Sequence, residues 1–161
     1  MINNALIPID GVEAIGRLGL SLILGAIVGG ERETKHKAAG LRTNMLVCFG
    51  SALIVFVPIQ LGIAQNSPDG FMRAVSGVIS GIGFIGAGAI LRDSKIRGLT
   101  SAAAIWVSAA LGIIVGSGLL GLGFTCALVT WVVLRILGKL ERRWLKGSTH
   151  HRKTRSKTPR E

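Results

Sequence analysis

Three short polar groups are the places where this chain could do chemistry. Glu31-Arg32 closes one apolar run, Arg42-Thr43 opens a second, and Arg97-Gly98-Leu99-Thr100 opens a third. A carboxylate beside guanidinium groups forms charge-assisted hydrogen bonds, so Glu31 is expected to pair with Arg97 or Arg42. Thr43 and Thr100 each stand just before an apolar run, where a hydroxyl can cap the first turn of a helix. Glu31, Arg32, Arg42, Thr43, Arg97 and Thr100 would then form a polar cluster at one mouth of a helical bundle. Ordinary topology-setting charge accounts for the same residues equally well.

Other candidate chemistry gives way to bland readings. Gly81-Ile-Gly-Phe-Ile-Gly86 matches GxGxxG, but a dinucleotide site needs a preceding strand and an acidic residue about 20 positions on. Neither is present, so helix packing is the better reading. Cys48 and Cys126 lie far apart in apolar runs, as buried free thiols do. His150-His151 is a weak metal signal in a solvated basic stretch. With no Ser/His/Asp or Cys/His constellation, no catalytic, metal or cofactor site is expected.

The elements that hold these residues are membrane helices. Of 161 residues, 49% are hydrophobic and 17% charged, too little polar surface for a soluble domain of this size. A span needs about 20 apolar residues at roughly 1.5 Å each. Five are expected: Val12 to Gly30, Asn44 to Ile63, Phe71 to Leu91, Leu99 to Gly116 and Leu119 to Gly138. Arg17 lies near the outer end of the first, where its stem can snorkel, and Pro58 should kink the outer end of the second. Residues 1–138 form this all-α bundle. Residues 139–161 form a basic cytoplasmic tail, first an interfacial helix end with Leu140, Trp144 and Leu145, then a disordered stretch.

Charge orients the bundle. The net charge is +11. Arg32, Lys35, Lys37 and Arg42 lie in the first loop, Arg92, Lys95 and Arg97 in the third, and the tail is more basic still. The second loop has no Lys or Arg before Arg73, and the fourth has none. Basic loops stay in the cytoplasm, which places the N-terminus outside and the C-terminus inside. Charges clustered beside spans point to lipid rather than nucleic acid. Asp10 and Glu13 precede the first basic residue, Arg17, unlike the basic start of a cleaved signal peptide.

The run from Ser76 to Ala104 is dense in glycine, and small residues let helix backbones approach closely in lipid. At about 100° per residue, Gly77, Gly81 and Gly88 share one strip and Ser76, Ser80, Gly83 and Ala87 the next, with Gly86 also in the run. Val75, Val78, Ile82, Ile85 and Ala89 lie opposite. The small face is expected to meet two neighbouring helices and the greasy face lipid, making this span the middle of the bundle. Gly25 to Gly29 and Gly112 to Gly116 extend the packing theme, and Ala104, Ser108, Gly112 and Gly116 form a strip that should pair with a helix of the same chain or of a second copy. No Asp or Glu lies inside spans two to five, which argues against a self-sufficient Mg²⁺ pathway.

Four segments resemble the membrane domain of the MgtC/SapB family: LGAIVGGERE (Leu24 to Glu33), AGLRTNMLVCFGS (Ala39 to Ser51), SGIGFIGAGAILR (Ser80 to Arg92) and RGLTSAAAIWVSAALG (Arg97 to Gly112). They occur in the family's order and spacing. The resemblance implies a multi-pass protein of the bacterial inner membrane, linked to Mg²⁺ limitation. It implies action by binding other membrane proteins, the proton-translocating ATP synthase among them, and some members are labelled Mg²⁺ transport proteins. Positions carried over are Glu31, Arg32, Arg42, the glycines from Gly81 to Gly88, Arg97 and Thr100. Departures are a short basic tail in place of a soluble C-terminal domain, Thr100 where some members have Asn, and Gly77 where many have Gln.

Overall fold

The computed structural model describes residues 9–92 and 96–137. The tail expected from residue 139 onward, with Leu140, Trp144, Leu145, His150 and His151, lies outside the described residues. The elements run in order α1 (Gly11–Glu33), α2 (Leu41–Gln60), α3 (Ile63–Asn66), α4 (Pro68–Gly88), β1 (Leu91–Arg92), β2 (Ile96–Arg97), α5 (Leu99–Gly116) and α6 (Leu120–Val132), which continues as a π-helical turn over Val133–Leu137. Among the described residues four helices, α1, α2, α4 and α5, are long and apolar enough to cross a membrane. The fifth apolar helix, Leu120–Ile136, is shorter.

Local chemistry sets several boundaries. Ser67 accepts a hydrogen bond from the Gly70 amide at 3.3 Å and Pro68 occupies the first turn of α4. A missing N–H costs nothing there and the fixed φ suits a helix start. Gly98 precedes α5 with φ +93°, and an added Cβ would collide with the Ala89 carbonyl; both facts require glycine. The turn expected between the third and fourth spans is a two-stranded antiparallel ladder, Leu91 opposite Arg97 and Arg92 opposite Ile96. Helices α1 and α2 run past their apolar cores into polar residues at the loop between them. The first therefore ends at Glu33 rather than Gly30, and the second starts at Leu41 rather than Asn44.

Helix α5 is the hub, touching α1, α2, α4 and α6. Its strip meets α2 within the same chain. A Cβ on Gly112 would meet the Cys48 carbonyl oxygen and, at 2.8 Å, Ser51 Cβ; one on Gly116 would lie 2.7 Å from the Ala52 carbonyl oxygen. Toward the start of the same face of α2, a Cβ on Gly25 would lie 2.7 Å from the Asn44 carbonyl oxygen, and one on Gly29 2.7 Å from Leu41 Cα. Two GxxxG strips, one from α1 and one from α5, thus meet along one face of α2, with Cys48 touched by both. Lipid tails are as apolar as the side chains, so this close backbone approach, not escape from water, holds the three helices together.

The α4 expectation is reversed. Val78 and Ile82 are buried and pack with Ile105 and Ala109 of α5, while Gly77, Gly81, Gly83 and Gly88 have nothing within 4 Å of an added Cβ. Phe84, at 85% exposure, stands out from this face. Only Gly86 is inside, its Cβ position 3.8 Å from Ala102 Cβ. The reason is volume. Beside Ile105 the facing side of α5 carries the small Ala109, and Val78 and Ile82 of α4 fill the space there. The centre of the bundle is therefore α5 against α2, with α4 on its flank.

These placements separate two glycines of like chemistry. Gly112→Ala forces a Cβ into α2 backbone and should cost about 1–3 kcal/mol or more. Gly81→Ala adds a methyl to open space and a better helix former, so it should be neutral or stabilising by up to about 1 kcal/mol. Thermal melts of the purified variants in detergent, side by side with the parent, check both; equal losses would contradict the placement of the two faces.

Candidate functional site

The polar residues named from sequence gather at the end of the bundle where α1 stops and α2 and α5 start, but with different partners. Glu31 pairs with Lys35, four residues on, rather than with Arg97 or Arg42. A helical i,i+4 spacing brings these two together at little conformational cost. Arg42 and Arg97 are exposed. Lys35 also donates to the Leu134 carbonyl at 3.1 Å, tying the end of α6 to this loop.

Neither threonine caps. Thr43 is the third residue of α2, whose N-cap is Gly40, and Thr100 is the second residue of α5 after Gly98. The cap of α2 comes from another element: Glu33 Oε2 accepts from the Leu41 amide at 3.0 Å. A carboxylate at a helix N-terminus meets both a free N–H and the positive end of the dipole. That role was hidden in the sequence because Glu33 lies eight residues before the amide it accepts from, beyond the local capping pattern.

Arg32 turns inward. It is 4% exposed, and its Nη2 donates to Ser101 Oγ on the first turn of α5 at 2.6 Å. Deeper in the same seam, Asn44 of α2 accepts from Ser108 Oγ of α5 at 2.8 Å, and its Nδ2 donates to the Gly40 carbonyl at 2.8 Å. Asn44 and Ser108 are fully buried. Ser101 and Ser108, one helical face apart by seven residues, give α5 a polar stripe against α1 and α2. Neither Asn44 nor Ser101 stood out in sequence; the signal was their spacing on an otherwise apolar face.

The far end carries a second inward arginine. Arg17 does not snorkel outward: it is 4% exposed and bonds Glu13 through Nε and Nη2 at 3.1 and 2.6 Å. Its Nη1 lies 3.4 Å from the Gly116 carbonyl at the end of α5, where a cation suits the helix dipole. The guanidinium fills the space beside Gly118, which has φ +83° and no room for a Cβ. Arg17 thus fastens the α5–α6 turn to α1.

This glycine packing and its polar seam fall inside the segments that also match known proteins. A family model described as the MgtC family matches residues 18–143. The chain belongs to the MgtC family. It is 40% identical over 144 residues to Protein SrpB of Synechococcus elongatus, covering 82% of this chain and 79% of SrpB. It is 40% identical over 146 residues to the "Putative magnesium transporter YhiD" of Escherichia coli K12, covering 86% of this chain and 66% of YhiD. Protein MgtC of Salmonella typhimurium is 42% identical over 99 residues, which are 61% of this chain and 41% of MgtC. No solved structure matches the chain. Family membership and the four apolar helices make this a membrane protein.

The buried pair in the seam gives a test. Asn44→Ala and Ser108→Ala each remove one half of a hydrogen bond between helices. In a double-mutant cycle read by thermal or denaturant unfolding in detergent, the two should couple by about 0.6 kcal/mol and at most roughly 1.7 kcal/mol. Strict additivity would mean that the two side chains do not meet.

Proposed function

We propose that this MgtC-family protein is a non-enzymatic, multi-pass protein of the bacterial inner membrane that modulates other membrane proteins through helix–helix contacts, in the setting of Mg²⁺ homeostasis. The observation that carries the reading is the outward small face of α4. Gly77, Gly81, Gly83 and Gly88 leave its backbone open over three turns, with Ser76 and Ser80 beside them. Between α4 and α2 runs an apolar groove of about 390 Å³, edged by Gly50, Gly77 and Gly81. Small residues on a lipid-facing side allow a foreign helix to approach closely. Family resemblance offers the proton-translocating ATP synthase as one such partner. A second copy of this chain is another.

The interior supports the same direction. Where α1, α2 and α5 meet, backbones touch so closely that even a methyl group has no room at Gly25, Gly29, Gly112 or Gly116. A solute path along that line would have to part the tightest contacts in the molecule. The orientation proposed is N-terminus out, with Arg32, Lys35, Lys37, Arg42 and Arg97 on the cytoplasmic side and Leu120–Ile136 as the fifth span. The second reading, a Mg²⁺ or other small-solute transporter component, draws support from the name given to YhiD.

Liposomes containing the purified chain and a Mg²⁺-sensitive dye separate the two. Modulation predicts no Mg²⁺ entry above that of empty vesicles, with or without an imposed membrane potential. Saturable entry that vanishes in Gly112→Leu would establish transport and overturn the proposal.

A further inference from the structure

At the basic end of the bundle the structure buries hydrogen-bond donors with nothing to accept from them. Arg32 and Ser101 are 4% and 2% exposed. Arg32 Nη2 donates to Ser101 Oγ, and Arg32 Nε, also buried, has no acceptor among the described residues. Ser101 spends its oxygen accepting from Arg32, so its own O–H is free to donate, and among the described residues it makes no second bond. The two ion pairs formed among the described residues engage Arg17 and Lys35, not Arg32. Beside these groups begins α5, 18 residues long, with no side chain capping its first turn.

A positive guanidinium held against the positive end of a helix is unfavourable by itself. Arg32 and Ser101 meet on the first turn of this helix, so a guanidinium, a hydroxyl and the start of α5 lie together. Glu31 acts on Arg32 electrostatically but is bonded to Lys35, and no acceptor with more than one oxygen is bonded to Arg32 among the described residues. We infer that Arg32, Ser101 and the N-terminal turn of α5 form a binding site for a phosphate-type oxyanion. Arg32 supplies the charge and a planar donor edge, which suits phosphate oxygens better than a point charge does. The helix start supplies amides and dipole, as at other phosphate-binding helix termini. Arg32 lies one residue before the end of α1 and Ser101 three residues into α5. Both therefore sit at the depth of lipid headgroups, and the phosphate can come from an anionic phospholipid or from free inorganic phosphate. This goes beyond the modulator reading and does not depend on it, since it concerns the contact of α5 with α1 rather than the outward face of α4.

The test uses the full chain purified in neutral detergent. Its melting temperature is followed during titration with inorganic phosphate, with sodium chloride at matched ionic strength, and with mixed micelles of phosphatidylglycerol or phosphatidylcholine. The site predicts saturable stabilisation by phosphate or by phosphatidylglycerol and none by chloride. A response to phosphate identifies a free oxyanion; a response to phosphatidylglycerol alone identifies a lipid headgroup. Arg32→Gln should abolish the response. Should that variant fail to fold, Arg32→Lys keeps the charge but loses the fork and should weaken the apparent affinity about tenfold. Lys37→Gln, an exposed change of the same charge, should leave it intact. No saturable shift with any titrant, or an equal response in Arg32→Lys and the parent, would overturn the site, as would its loss in Lys37→Gln.

Discussion

The structure depends on one contact, the meeting of one face of α2 with glycine strips from both α1 and α5. Gly25 and Gly29 from α1, and Gly112 and Gly116 from α5, bring three backbones together with no room for a methyl group between them. In a bilayer the driving force for this cannot be burial from water. It has to come from dispersion between closely fitted surfaces and from hydrogen bonds that lipid cannot offer. Each glycine matters because its missing side chain is what sets the spacing. Once α1, α2 and α5 are fixed, α4 and α6 pack on the outside, and their requirements are looser.

Polar groups then complete what packing starts. The Asn44–Ser108 bond locks α2 against α5 at one depth, and Arg32 reaches from α1 to Ser101 at the basic end. At the other end Arg17, neutralised by Glu13, rests on the closing turn of α5. So α1 is tied to α5 near both of its ends, by an arginine each time, while glycine contacts fill the middle. Glu33 serves the same economy, since the last residue of one helix caps the next.

Much of this was legible in the sequence. Four apolar helices of spanning length and their approximate limits followed from apolar run length, and the two GxxxG pairs that meet α2 followed from four-residue spacing. The side of α4 that faces inward did not follow. In lipid, hydropathy does not distinguish inside from outside, and which face is buried depends on the volume its neighbour presents. Val78 and Ile82 turn inward because Ala109 leaves space beside Ile105. The polar cluster was located correctly in the chain but mispaired, since Glu31 had a nearer cation in Lys35. Arg17 and Ser101 acquire their roles only from contacts across 99 and 69 residues, which no local pattern encodes. The result is a bundle tightly packed where α1, α2 and α5 meet and open along the glycines of α4.

The central claim, that α2 packs directly against α5 of its own chain, is most directly tested by cross-linking. Cysteines would replace Asn44 and Ser108 in a chain whose Cys48 and Cys126 have been changed to serine, with a protease site inserted in the α2–α4 connection after Gln65. Oxidation in native membranes followed by cleavage should leave the two fragments joined until reductant is added. Fragments that separate without reductant, or a disulfide that instead joins two intact chains, would contradict the account.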